Sequence, residues 1–261
     1  PFLWPTFPSS LTINFGTKNK LIPFVPGGES FALAITKSQN KSSPSIDDLD
    51  QIYSLSMLVL FRLLFIAYAE DKDLLPYKIN DLYKKKSLKN IALEIKNIKE
   101  RNEFFEFSND STYWDSLKHI FFAINNGNKN WGVPIYNGGL FSTDPELSPL
   151  GAKLEKLKIS DKYFANALYY LLLIEDNEAI LPIDFRSLGV REFGTIYEGL
   201  LESELSFADQ NLELSKNNIL VPLKQLDKEP VITKGTIYLN NKSGERKSTG
   251  SYYTKTFIVD H

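Results

Sequence analysis

The sequence predicts a mostly α protein with small β elements near both ends, α+β overall, and three observations carry that expectation. The first is a long apolar run, Met57 to Ala69, within a segment that opens on Ser45-Ile46-Asp47-Asp48. That opening combines a capping hydroxyl with an acidic first turn. The second is a set of shorter segments with helical spacing of apolar residues. The third is the loss of helical period over residues 217–240, where Ile219-Leu220-Val221 and Thr236-Ile237-Tyr238-Leu239 read as short strands joined by a polar loop.

Taken in order, residues 1–45 are rich in Pro, Ser and Gly and carry two strand-like runs, Leu11 to Phe15 and Ser30 to Ile35. They read as the tail of a preceding domain or an extended arm, with a linker over 37–45. The first helix is expected from Ser45 to about Asp71, broken by Pro76, with most faces apolar and hence at the centre of the core. Its apolar run is too short for a membrane span and carries Arg62 in the middle. A second helix is expected from Ser87 to about Phe107, and a third from Ser111 to about Asn125, burying Trp114, Leu117, Ile120 and Phe121. Gly127 to Gly139 reads as loop, with a tight turn at Asn137-Gly138-Gly139. Ser160 is expected to cap a fourth helix through about Ile174, and a fifth is expected from Val190 to Leu205. Two glycines in that fifth helix, Gly194 and Gly199, suit a close helix crossing.

At 261 residues, with 43% hydrophobic and 24% charged residues, the chain can bury a sizeable core. Its formal net charge of -2 gives no global basic footprint for nucleic acid. There is no Cys, which excludes a disulfide framework and thiolate metal sites and fits a cytoplasmic location.

Several chemistries lack their residues. An acid followed by Glu-x-Lys, here Asp81 with Glu94 and Lys96, resembles a nuclease set, but the segment reads as helix and positions two apart leave on different faces. His119 and His261 have no partner at zinc-ligand spacing. No Gly-x-Ser-x-Gly elbow and no phosphate loop occur. Glu70-Asp71-Lys72-Asp73 reads as a charged, solvated helix end, at a small cost, because acids there oppose the helix dipole.

Four segments in the same order then match one family: FRLLFIAYAEDKDLLP (61–76), IYNGGLF (135–141), LGVREFGTIYEGLLE (188–202) and GTIYLNNKSGERKSTGSYYTKTFIVDH (235–261). Together they resemble the region ahead of the catalytic core in type IIG restriction–modification enzymes and BREX-type adenine-specific DNA methyltransferases. The resemblance implies a helical connector over 46–216, a short β linker over 217–249, and the start of a truncated methyltransferase domain over 250–261. It implies that Gly250, Ser251, Tyr252, Tyr253 and Thr254 border an S-adenosylmethionine pocket in a longer protein, with Lys255 standing where the family carries Pro. The glycine-rich cofactor loop and the Asn-Pro-Pro-Tyr motif do not occur here. The chain is therefore expected to be an inert internal piece, without a cofactor of its own, flanked in cis by nuclease and methyltransferase domains. Double-stranded DNA is the expected partner, through backbone contacts from Lys84, Lys85, Lys86, Lys89, Arg246 and Lys247; no membrane is expected. The alternative is a stand-alone helical protein–protein interaction module.

Overall fold

The computed structural model describes residues 28–40, 43–101, 106–136, 138–176, 179–186, 188, 194, 196–197, 200, 203–214, 220–223 and 230–241. Their elements are α1 (Gly28–Ser38), α2 (Ile46–Asp71), α3 (Asp81–Lys84), α4 (Leu88–Arg101), α5 (Thr112–Asn126), α6 (Pro149–Glu155) and α7 (Asp161–Leu172). The strands are β1 (Leu173–Asp176), β2 (Ala179–Pro182), β3 (Ser203–Phe207), β4 (Leu212–Leu214), β5 (Leu220–Pro222) and β6 (Ile237–Asn241). The fold is mostly α with short antiparallel strands, as the sequence predicts.

The centre is α2, which packs on α1, α4, α6 and β3. Its start is a capping box: Ser45 Oγ accepts from the Asp48 amide at 3.2 Å, and the Asp48 carboxylate accepts from the Ser45 amide at 3.0 Å. It ends where Asp73 turns left-handed at φ 58° and the Leu74 amide reaches back to the Ala69 carbonyl. By length and composition α2 could cross a membrane, but 61% of its most apolar window is buried inside the protein. Ile52, Val59, Leu63 and Ile66 are fully buried in the same core as residues from α1, α4, α5 and α7.

The structure departs from the sequence expectations at both ends of the chain and at two helix ends. Residues 30–35 are helix, not strand. Phe31, Ala34 and Ile35 recur at spacings of three and four and are all buried, with Phe31 against the Phe164 ring at 5.7 Å. The core thus begins upstream of residue 46, and α1 is part of it rather than an arm. The fourth helix stops at Leu172; Leu173 turns extended and pairs with Pro182 in the hairpin β1–β2. Helix does not extend to Leu205, because Ser203–Phe207 is strand and pairs with β6. The two C-terminal strands exist, but they are not partners: β5 pairs with β4, and β6 with β3. Leu205 and Leu239, directly opposed in that pair, enter the common core. Residues 237–239 therefore belong to the body and not to a linker. The run 11–15 lies outside the described residues.

Arg62 explains itself once the loop after α5 is in place. It is 1% exposed. Its Nε donates to the Leu140 carbonyl at 2.8 Å and its Nη2 to the Ser142 carbonyl at 3.0 Å. The guanidinium also lies over the Phe121 and Phe141 rings, 5.1 and 5.6 Å from their centroids. Burial lowers its pKa to about 10, partly opposed by Glu155, so it stays charged at neutral pH. The carbonyls it serves lie in and just beyond the Gly-Gly loop, where Gly139 has φ 76° and open space beside it. A turn that needs a left-handed residue accounts for that glycine.

Gly151 closes the same corner. A Cβ there would stand 2.1 Å from the Ser142 carbonyl oxygen and 3.1 Å from Arg62 Nη2. Ala normally favours a helix over Gly by about 1 kcal/mol. Here the sign inverts: Gly151→Ala should destabilise the protein by roughly 2 kcal/mol or more. Urea unfolding measures it, and a neutral or stabilised variant would contradict this packing.

Candidate functional site

A cleft of about 390 Å³ opens between the C-terminal end of α2, the first turns of α4 and the segment leaving β2. Its construction starts with Glu70, the buried carboxylate in its wall. Glu70 is 0% exposed. Its Oε1 accepts from the Leu88 amide at 2.9 Å and the Tyr83 hydroxyl at 2.8 Å, and its Oε2 accepts from the Lys89 amide at 2.9 Å. A residue from the end of one helix thus caps the start of another. The solvated helix end expected from sequence is corrected here. The acid that opposes the dipole of α2 faces the favourable end of α4.

Asp71, the next residue, ties two further elements. Its Oδ1 pairs with Lys89 Nζ at 2.5 Å, and its Oδ2 accepts from the Phe185 amide at 2.6 Å. Arg186 then lies beside Asp184, with Nε 3.0 and 2.9 Å from its two carboxylate oxygens and Nη2 2.5 Å from Oδ2. This pairing holds the Asp184 carboxyl down at about 2. The Tyr77 ring lies under Lys89 Nζ at 4.8 Å and Lys84 Nζ at 5.8 Å. Ala92, Leu93 and Ile183 supply apolar lining.

Among the expected DNA-contact residues, Lys84, Lys85 and Lys86 are exposed at the end of α3. Lys89 differs: it is half-buried and spent in part on Asp71. Arg246 and Lys247 lie outside the described residues, as do Gly250, Ser251, Tyr252, Tyr253 and Thr254. The nuclease arrangement is excluded by geometry, since Glu94 and Lys96 lie within the helix α4. Lys96 pairs with Glu100, and Glu94 accepts from Asn90. His119 is exposed on α5, and no group of three His, Asp or Glu fit to hold a metal occurs among the described residues.

A second carboxylate repeats the capping device. Asp161, at the start of α7, accepts from the Thr112 and Tyr113 amides of α5 at 3.0 Å each. The Asp161 and Lys162 amides in turn donate to the Asp110 and Ser108 carbonyls. That exchange removes the need for the expected Ser160 cap, and the Ser160 hydroxyl is buried without a hydrogen-bond partner among the described residues. Burial raises the Asp161 pKa against the pull of the two amides.

Asp184, Phe185 and Arg186 were legible in sequence only as the approach to a helix. Glu70 left one signal, its uncompensated position at the end of α2. Comparison of the chain with family models, with curated proteins and with solved structures gives no match.

Glu70 makes the joint sensitive to pH. Burial pushes its carboxyl up from 4.5 to about 7, against three hydrogen-bond donors. Its folded pKa exceeds its unfolded value, so the stability it contributes is full below about 4.5 and is lost as pH rises through about 7. Glu70→Gln should flatten the stability profile between those limits by an amount of order 2 kcal/mol. Chemical denaturation of both proteins across that window tests this, and parallel profiles would refute it.

Proposed function

We propose that this chain is the helical connector of a restriction–modification protein with adenine-specific DNA methyltransferase activity, fixing the methyltransferase core against a nuclease or target-recognition part. One observation supports the reading: three of the quoted segments meet in space. Segment 61–76 reaches 135–141 through Arg62 on the Leu140 carbonyl and through the Tyr136 hydroxyl on the Leu74 carbonyl. Phe65 lies edge-on to both Tyr136 and Phe141. The same segment meets 188–202 through Phe61 and Tyr197, and upstream of the segment in α2 the Tyr53 hydroxyl donates to the Leu200 carbonyl. Residue types matched to the family are thus those that join the helical body to its loops. A connector needs such a body, because positioning a catalytic core demands elements that do not move against one another.

Within this reading, S-adenosylmethionine and the adenine target belong to the longer protein, in the cytoplasm, and Lys84, Lys85 and Lys86 of this chain touch the DNA backbone. The coding sequence beyond His261 tests the first part: a glycine-rich loop and Asn-Pro-Pro-Tyr are expected, and an immediate stop codon would favour the interaction module instead. For the second part, three lysines on phosphates correspond to a slope of about −2.7 in log affinity against log salt. Fluorescence anisotropy of the chain with duplex DNA should give that dependence, and the triple change K84E/K85E/K86E should remove most of it. Binding insensitive to salt, or none at micromolar protein, would end the DNA-contact assignment.

A further inference from the structure

The cleft beside Glu70 carries an inference that does not depend on any DNA role. Its hydrogen-bonding capacity is lopsided. Both oxygens of Glu70, of Asp71 and of Asp184 already accept hydrogen bonds or an ion pair. Asp184 accepts four such bonds and the fully buried Glu70 three, so that Asp71 alone keeps a lone pair on each oxygen. The cations keep more in hand. Among the described residues Lys89 Nζ pairs with Asp71 and stands over the Tyr77 ring, and an ammonium offers three N–H groups. Among the described residues Arg186 uses Nε and Nη2 on Asp184 and has no partner for Nη1, on a side chain that is 67% exposed. Both cations line the cleft, beside an apolar wall that includes Leu88, Ala92, Leu93 and Phe185. Its size lies in the range of small-molecule sites, which pair an apolar wall with a few convergent polar groups.

We infer that this cleft binds a small amphipathic carboxylate, its apolar body against Leu93, Ala92 and Phe185 and its head accepting from Lys89 and Arg186. A carboxylate supplies two oxygens to accept from these N–H groups, and charge-assisted hydrogen bonds to a guanidinium and an ammonium are the strong kind. A cationic ligand would meet carboxylates already committed to neighbours. A wholly apolar one would leave the Lys89 and Arg186 donors facing its body.

The test uses the full chain with 4-phenylbutyrate as probe and 4-phenylbutyramide as its uncharged counterpart, followed by calorimetry or by NMR shifts. A probe of about a dozen heavy atoms should bind saturably with a dissociation constant on the order of 1 mM. The amide, and the carboxylate on Arg186→Gln, should each bind about tenfold more weakly. Leu93→Glu places a like charge on the wall and should abolish binding. Residues 93 and 186 are exposed enough that both variants should fold, which circular dichroism checks. Absence of saturation at roughly ten times that concentration, equal affinity for the amide, or indifference to both substitutions would each overturn the assignment.

Discussion

The structure turns on the Glu70 carboxylate. A buried charge is costly unless every lone pair finds a donor. Glu70 meets that condition only when α3 and α4 are both in place. Tyr83 must bring its hydroxyl from α3, and Leu88 and Lys89 must present their amides at the start of α4. The same amides would be orphaned without the acid, because the first turn of a helix has no internal acceptors. Each side of the contact removes the other's penalty, so the corner forms as a unit. Asp71 extends that unit to Phe185 and so to the segment leaving the hairpin. The cleft is the space left between elements that this corner holds apart.

The logic recurs at two other joints, with different chemistry each time. Asp161 and the carbonyls of Ser108 and Asp110 exchange caps between α5 and α7, so neither helix needs the serine that precedes it. Arg62 works with the opposite sign, carrying donors from the middle of α2 to loop carbonyls that have no strand or helix to serve them. Apolar packing supplies most of the driving force for such a body, but it is non-directional. These polar contacts between elements determine which helix end meets which loop. Arg62, Glu70, Asp71 and Leu140 lie inside the quoted segments, which gives those segments a structural reason to be as they are.

How much of this was legible follows from the range of each signal. The bounds of α2 and α5 were plain, because a capping box, a broken helical period and an aromatic stripe are local. α1 is hard to read because Ala32 and Ala34 blur a helical stripe into an alternating one within a Ser- and Gly-rich stretch. The start of β3 reads as helix because its pairing partner lies thirty or more residues away, and a strand is specified by its partner as much as by its own residues. The cleft was invisible for the same reason. Asp71 and Phe185 are separated by 114 positions, and nothing near Asp71 announces the amide it will accept from. Only the two acids at the end of α2 give notice, placed where their own helix disfavours them.

That exception carries a general argument about reading helix ends. An acid in the last turn of a helix costs up to about 1 kcal/mol at the surface. In a chain that otherwise caps its helices well, that cost marks a residue satisfied by something outside its own helix. In α2 the cost falls on two successive residues, and both turn out to hold other elements: Glu70 the start of α4, and Asp71 both Lys89 and the Phe185 backbone. The two acids also use every carboxylate oxygen they have in doing so. Each of those oxygens therefore already has a donor, while the cations drawn toward the wall keep N–H groups to spare. The preference of the cleft for an anionic head is in this sense a by-product of how the corner is built, since the groups that fold it bring a donor to each carboxylate oxygen and leave N–H groups over.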